Sequence, residues 1–294
     1  MDRVSRMISA MDGWLPGLGT ITPPPEGLFG RVCLIDTDRV HLDAEELDIE
    51  LVVPFDDDVE ANEAEITIYN LSKTTIENIR LNDVITITAG YKDDTGVIFR
   101  GYINDIKTVW EGADKKATIF ALDDVSPKDS KLESVSYAAG SKASFILKDL
   151  VNRLGLPVAV FKTARDWTYE DETTIDGNLM ESIVKYADVC GVSAYINKGK
   201  VFVRKLTDGD NLNFTVNENT GMIGAPEPFT EDRTAEDYID TIRGYKVQML
   251  LQHRINTAGI VNLESRDYKG VFRVRKGSHR FNPDEAITEF EVIA

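Results

Sequence analysis

Apolar and polar positions alternate through three neighbouring stretches, EITIYNLSKTTIENI (65–79), DVITITAGY (83–91) and GVIFRGYINDIKTVW (96–110). Ile66 and Ile68, then Val84, Ile85, Ile87 and Ala89, supply strand-forming residues. Asn70 and Ser72 stand where a strand has to turn, and Gly90, Gly96 and Gly101 punctuate the rest. Residues 31–35 and 47–53 read as two earlier strands, the second with apolar residues at 47, 49 and 51. Residues 117–122 close the set before Asp123, Asp124 and Pro127. The pattern predicts a small antiparallel β-barrel over 27–127.

From 128 to 206 the period changes. Leu147, Leu150, Val151 and Leu154 carry helical spacing, Ser141 is placed to cap that helix, and Gly155 with Pro157 stops it. A second helix is predicted to start at Asn178, with Glu181 three positions on in a capping-box-like arrangement. Its apolar face is Leu179, Ile183, Tyr186 or Ala187, and Cys190, and Gly191 ends it. Residues 192–196 then pair with 201–204 across the turn Asn197-Lys198-Gly199. This is an α+β module.

Residues 207–294 return to strand texture at 246–251, 259–263, 270–274 and 287–292, with at most a helical turn near 234–238. A second small antiparallel β-barrel is the economical reading. The fold class is therefore mainly β with an α+β insert, two small β-barrels flanking an α+β domain. Ahead of them, Val4, Met7, Ile8 and Met11 share one side of a short amphipathic helix over 1–14. Pro16, Gly17, Gly19 and the three prolines at 23–25 then enforce an extended linker. Residues 1–26 thus form an arm, read either as a docking element for a neighbouring subunit or as an idle tail.

With 294 residues, 42% hydrophobic and 28% charged, the chain has the composition of a folded soluble protein with room for two or three domains. No apolar run approaches the ~18 residues of a membrane span, and no secretory leader follows Arg3 and Arg6, so synthesis in the bacterial cytoplasm and no stable membrane insertion are expected. Cys33 and Cys190 form no metal-type pair and read as small buried apolar residues. The formal charge of −17 repels nucleic acid and anionic lipid. It serves solubility alone, or it lines a passage through which DNA slides without sticking.

Catalytic chemistry is hard to find. His41, His253 and His279 lie in no Ser-His or Cys-His nucleophile motif, and His279, in KGSHRF, reads as support for a turn or an interface. Asp56, Asp57, Asp58, Glu60 and Glu63 lack the alternation and glycine of a calcium loop. Carboxylate runs such as Glu170-Asp171-Glu172 are too many to single out a glycosidase pair. Tyr69, Tyr91, Phe99, Tyr102, Trp110 and Phe120 alternate along strands, which suits barrel filling better than base stacking. No catalytic, cofactor-binding or metal-binding residue is assigned, and no cofactor is expected.

A strand ending in Tyr69-Asn70-Leu71-Ser72, a short Thr/Ile helix, a strand ending in Ala89-Gly90-Tyr91 and a strand with Phe99-Arg100-Gly101 together resemble the first domain of phage baseplate hub proteins. That family includes the late control protein D group and the hubs of tailocins and other contractile injection machines. GSKASFILKDLVNRLGL (140–156) with GNLMESIVKYADVCGVSAYINKGKVFVRK (177–205) resembles its middle domain. LLQHRINTAGIVNLESRDYKGVFRVRKGSHRF (250–281) and TEFEVI (288–293) resemble its closing barrel.

The resemblance implies a homotrimeric, pseudo-sixfold ring assembled into the virion tail. Such a ring joins the tail tube to the central spike, contacts other baseplate proteins and surrounds the channel of the tape measure and the DNA, without specific DNA binding. Two alternatives are a tail-tip protein of a non-contractile tail, anchoring fibres or binding receptor, and a tail-associated cell-wall hydrolase.

Overall fold

The structure, a computed structural model, describes residues 30–56, 61–123, 131–205, 207–235 and 238–293. The arm 1–26, the acidic positions Asp57, Asp58 and Glu60, and Asp124 and Pro127 lie outside the described residues.

The first segment carries β1 (Arg31–Thr37), β2 (His41–Asp43), β3 (Ile49–Phe55), β4 (Glu63–Tyr69), α1 (Lys73–Asn78), β5 (Val84–Tyr91), β6 (Asp94–Glu111) and β7 (Asp114–Leu122). The middle one carries β8 (Lys131–Tyr137), α2 (Ala143–Arg153), β9 (Val158–Phe161), β10 (Thr173–Asn178), α3 (Leu179–Val189), β11 (Ser193–Asn197) and β12 (Lys200–Arg204). The last carries β13 (Asp210–Val216), a 3₁₀ turn at Glu218–Thr220, β14 (Met222–Ala235), β15 (Tyr238–Leu250), β16 (Gly259–Glu264), β17 (Lys269–Phe281) and β18 (Ala286–Ile293).

The mainly β class is as expected, but the strands do not close into two separate barrels. They form one 13-stranded sheet in the order β14-β15-β18-β17-β3-β4-β7-β6-β5-β1-β2, with β16 on β17 and β13 on β16. The join is the antiparallel pairing of β3 with β17, from Leu51 opposite Phe281 to Phe55 opposite Gly277. An exposed strand edge is costly to leave unpaired, and each of these two strands supplies the partner the other needs. The cores follow the join. The first, around Ile35, Ile66, Ile85, Ile103 and Ile119, also takes in Leu251, Phe281 and Ala286, and the third, around Met249, Val261 and Val292, takes in Phe55. Burying a phenylalanine is worth roughly 1.5–3 kcal/mol, so Phe55 and Phe281 each tie one segment to the core of the other.

The middle segment has its own core on α2, α3 and the β11–β12 hairpin. The predicted start of α3 is observed: Asn178 Oδ1 accepts from the N–H groups of Met180 and Glu181 at 2.8 and 3.1 Å. The predicted Ser141 cap on α2 is not. The helix begins after Lys142, and Asp166, 22 residues away in sequence, accepts from the Ser144 N–H at 3.0 Å and the Ser144 hydroxyl at 2.7 Å. Burial works against ionising that carboxyl, but the bonds from Ser144 and Trp167 outweigh it and hold its pKa below the usual range. A tertiary carboxylate has replaced the local hydroxyl.

The aromatic set divides. Tyr91, Phe99 and Tyr102 are buried, while Tyr69 and Phe120 are half-buried. Trp110 is 72% exposed, near the tip of the β6–β7 hairpin, and fills no core.

Candidate assembly surface

Period-two alternation sorts the strands from β14 to β6 into two faces. On β3, Ile49, Leu51, Val53 and Phe55 point to the core while Glu50, Val52 and Pro54 point away. The pairings carry this division across the seam, so that Val52 lies opposite Arg280, Pro54 opposite Ser278, Ser278 opposite Glu289, and Glu289 opposite Gln248. One open face therefore runs without a break through eight antiparallel strands.

Four cations on that face lie beside carboxylates. Lys107 Nζ lies 3.3 Å from Asp105, Arg280 lies 3.4 Å from Glu289, and Lys246 and Lys276 lie 3.9 and 3.8 Å from Glu291. Gln248 donates to Glu289 at 2.9 Å. Thr67 and Thr118, side by side across β4 and β7, share a hydrogen bond of 3.2 Å. A cleft of about 680 Å³ opens here between Pro54, Ile223, Lys246 and Glu291, where β14 bulges between Ile223 and Glu227 and Gly224 takes a φ of +70°.

At both ends of the eight strands a hairpin outruns its neighbours. The pairing of β15 with β18 ends at Gly244, whereas β15 stays paired with β14 to the tip. The pairing of β6 with β5 ends at Tyr102, whereas β6 stays paired with β7 to Glu111. Each hairpin so keeps an outer edge, among the described residues, with no strand beside it. Pro226 and Pro228 remove two donors from the β14 edge and confine any strand addition to its far part.

Behind the seam, His279 is fully buried. Its Nδ1 sits 2.9 Å from the Thr288 hydroxyl, which accepts from the Gln252 N–H at 3.0 Å, and its ring lies 5.0 Å from that of Phe55. Burial, and then the nearby Lys198 and His253, push its pKa well below the ordinary value. His279, expected to support a turn or an interface, lies within β17 and not in a turn.

Gln252 leads to a junction of all three segments. Asp94, at the start of β6, accepts from Gln252 Nε2 at 3.0 Å and from both terminal nitrogens of Arg254 at 2.7 Å, and the His253 ring lies 3.8 Å away. From the middle segment, Lys198 Nζ donates to the His253 carbonyl at 2.9 Å. Burial alone would raise the Asp94 carboxyl, but Arg254 and Gln252 hold it below the usual range. Burial lowers His253 to about 4, with Asp94 opposing and Lys198 and Arg254 reinforcing, and it lowers Lys198 to about 8. Both imidazoles are neutral at physiological pH and serve as packing and bonding groups.

His41 is remote from this junction in function, exposed and held by Asp36 at 2.6 Å, a bond that raises its pKa. The junction roles of Asp94, Lys198 and Gln252 carried no sequence signal, because the partners lie as much as 160 residues apart. Among the described residues no group of three or more His, Cys, Asp or Glu could hold a metal ion, and no helix is long and apolar enough to cross a membrane.

Comparison with known proteins places these features. The sequence model of the family described as baseplate hub gp41 matches residues 64–267. No curated protein sequence matches the chain. Among solved structures, the 43 kDa tail protein of prophage MuSo2 from Shewanella oneidensis superposes with a TM-score of 0.62 at 8% identity, over 90% of this chain and 98% of that one. The tail protein from Neisseria meningitidis MC58 gives 0.61 at 8% identity, over 90% and 97%. The E. coli c3393 protein, a component of the type VI secretion system with structural similarity to the T4 tail proteins gp27 and gp5, gives 0.59 at 8% identity, over 88% and 76%. At these identities the likeness is one of fold.

Proposed function

The chain belongs to the baseplate hub gp41 family, a structural part of a phage tail baseplate, and from that membership we propose that it forms a homotrimeric, pseudo-sixfold ring between tail tube and central spike. Residues 27–127 and 207–294 supply the two ring-forming units of each copy, and 128–206 is a module carried outside the ring. The observation that carries this reading is the β3–β17 pairing, which makes two four-strand halves into one eight-strand wall with an edge at either end.

An even number of antiparallel strands leaves β14 and β6 running in opposite senses, so β14 of one copy meets β6 of the next as an antiparallel neighbour. A head-to-tail contact of this kind closes into a ring when its rotation divides the circle. Three copies then give six similar halves around a channel. The matched open face suits the channel wall: each lysine or arginine named above already faces a carboxylate, which leaves little to hold the phosphates of passing DNA. The spike, the tail tube, other baseplate proteins and the tape measure are the partners of such a ring.

The test is a reconstruction of the assembled tail. Three copies with both halves of each chain at the channel are expected. Six copies, or one half alone at the channel, would refute the ring.

A further inference from the structure

Two apolar side chains at the tip of the β6–β7 hairpin are left uncovered, Trp110 and Val109. They point to opposite faces. Trp110 shares the side of Ile106 and Thr108, which lie opposite Ile119 and Ala117 of the first core, whereas Val109, opposite Lys116, shares the open face with Lys107. The β14 edge divides in the same way. Pro228 lies opposite Tyr245 on the core side, where the Tyr245 ring meets those of Tyr268 at 4.4 Å and Phe272 at 5.4 Å. Phe229 lies opposite Gly244 on the open side, its ring so close that a β-carbon on the glycine would come within 2.9 Å of it.

The lengths of the two free edges decide how they meet. Among the described residues, β6 has no strand on its outer side over 103–111, and β14, past its prolines, none over 229–235. Set antiparallel, with the end of β14 at Ala235 beside Ile103, where the pairing with β5 has stopped, the edges bring Val109 beside Phe229 and Trp110 beside Pro228. Each of these pairs falls on a single face. Charge agrees: on the open face Lys107 falls beside Glu231, and Lys116 and Glu227, neither of them in an ion pair among the described residues, come to the same place. Glu111 falls beside Glu227 as a like charge, at the turn where the strand ends. Resting on the ring proposed above, we infer that the tip of β6 clasps the β14 edge of the next copy: Trp110 covers Pro228 and Tyr245 on the core side, and Val109 meets Phe229 on the open side. An indole buries about 150–250 Å², and a few such aromatic anchors carry most of the energy of an interface.

The experiment is oxidative crosslinking, in assembled tails, of a full chain carrying Val109→Cys and Phe229→Cys. Cys33 and Cys190 stay silent, being buried with thiols pushed up, Cys33 to about 12. Covalent species up to the trimer are expected, and none from Val109→Cys alone. If Phe229→Cys does not fold, Trp110→Cys with Pro228→Cys reports the same register from the core side. Trp110→Ala, a change at an exposed position, should lower the yield of assembled tails at least about tenfold, and Trp110→Phe should restore most of it. Three-copy tails without a crosslink at either pair, or an undiminished yield with Trp110→Ala, would overturn the contact and leave the ring standing. Tails with six copies would overturn both.

Discussion

The imidazole of His253 lies so close over Gly96 that a β-carbon at position 96 would come within 2.2 Å of ring atom Cδ2. The glycine is therefore required by close approach across the junction between the first and last segments. Gly96→Ala should cost about 1–3 kcal/mol by overpacking, read as a lower midpoint in urea. His253→Ala in the same chain should recover much of that loss, and a midpoint unmoved by Gly96→Ala would contradict the contact.

Acid should loosen the same junction. His253 and His279 have pKa values below their unfolded ones, so the unfolded chain binds more protons as pH falls from about 6.5. Stability should decline through that window down to about 4, where His253 takes up its proton in the fold. The groups facing His253 are Asp94, Lys198, Arg254 and His279. Asp94 acts lower still: its depressed carboxyl contributes above about pH 3.9 and is lost as pH falls through its folded value. Urea midpoints between pH 7 and 5 should fall for the parent chain and fall less for His253→Gln. Identical profiles would show that the histidine is not the titrating group.

Charge matching on the open face yields a gain-of-binding test. Glu289→Gln with Glu291→Gln leaves Lys246 and Lys276 without the carboxylate they now face, and Arg280 with Glu285 alone. The variant should bind duplex DNA at about 50 mM salt and release it by about 200 mM, followed by fluorescence anisotropy, while the parent does not bind. Equal, negligible binding by both would mean that the matching has no bearing on DNA.

The start of α2 separates a local cap from a tertiary one. Asp166→Ala should destabilise by about 1–2 kcal/mol, whereas Ser141→Ala should stay within about 0.5 kcal/mol. Thermal melts of the two variants check this directly, and the reverse order would restore Ser141 as the cap.

What could be read before folding was whatever depends on near neighbours. Asn178 caps α3 through bonds that reach no more than three residues along the chain, Lys198 and Gly199 turn a hairpin with φ of +50° and +70°, and the alternation read at 47, 49 and 51 has Ile49 and Leu51 on a buried strand face. Strands β8, β9 and β10 escaped because they are short or carry no clean alternation. The seam escaped for a different reason. Nothing in residues 51–55 specifies residues 277–281 as their neighbours, since alternation tells which side of a strand is buried and is silent on which strand lies next to it. Two barrels and one continuous wall share the same alternating text. Trp110 escaped similarly, as its strand outruns the sheet that would have covered it.

The β3–β17 seam also sets an order in time. During synthesis β3 emerges more than two hundred residues before the strand that covers its edge, and contacts so far apart in sequence are slow to form. Until β17 arrives, the first core lacks Leu251, Phe281 and Ala286, and the edge of β3 stays open to foreign strands. A nascent or truncated chain consequently cannot present the finished wall, however well its earlier strands have paired. In the ring proposed above, only a chain translated through β17 and β18 would carry both contact edges on one wall.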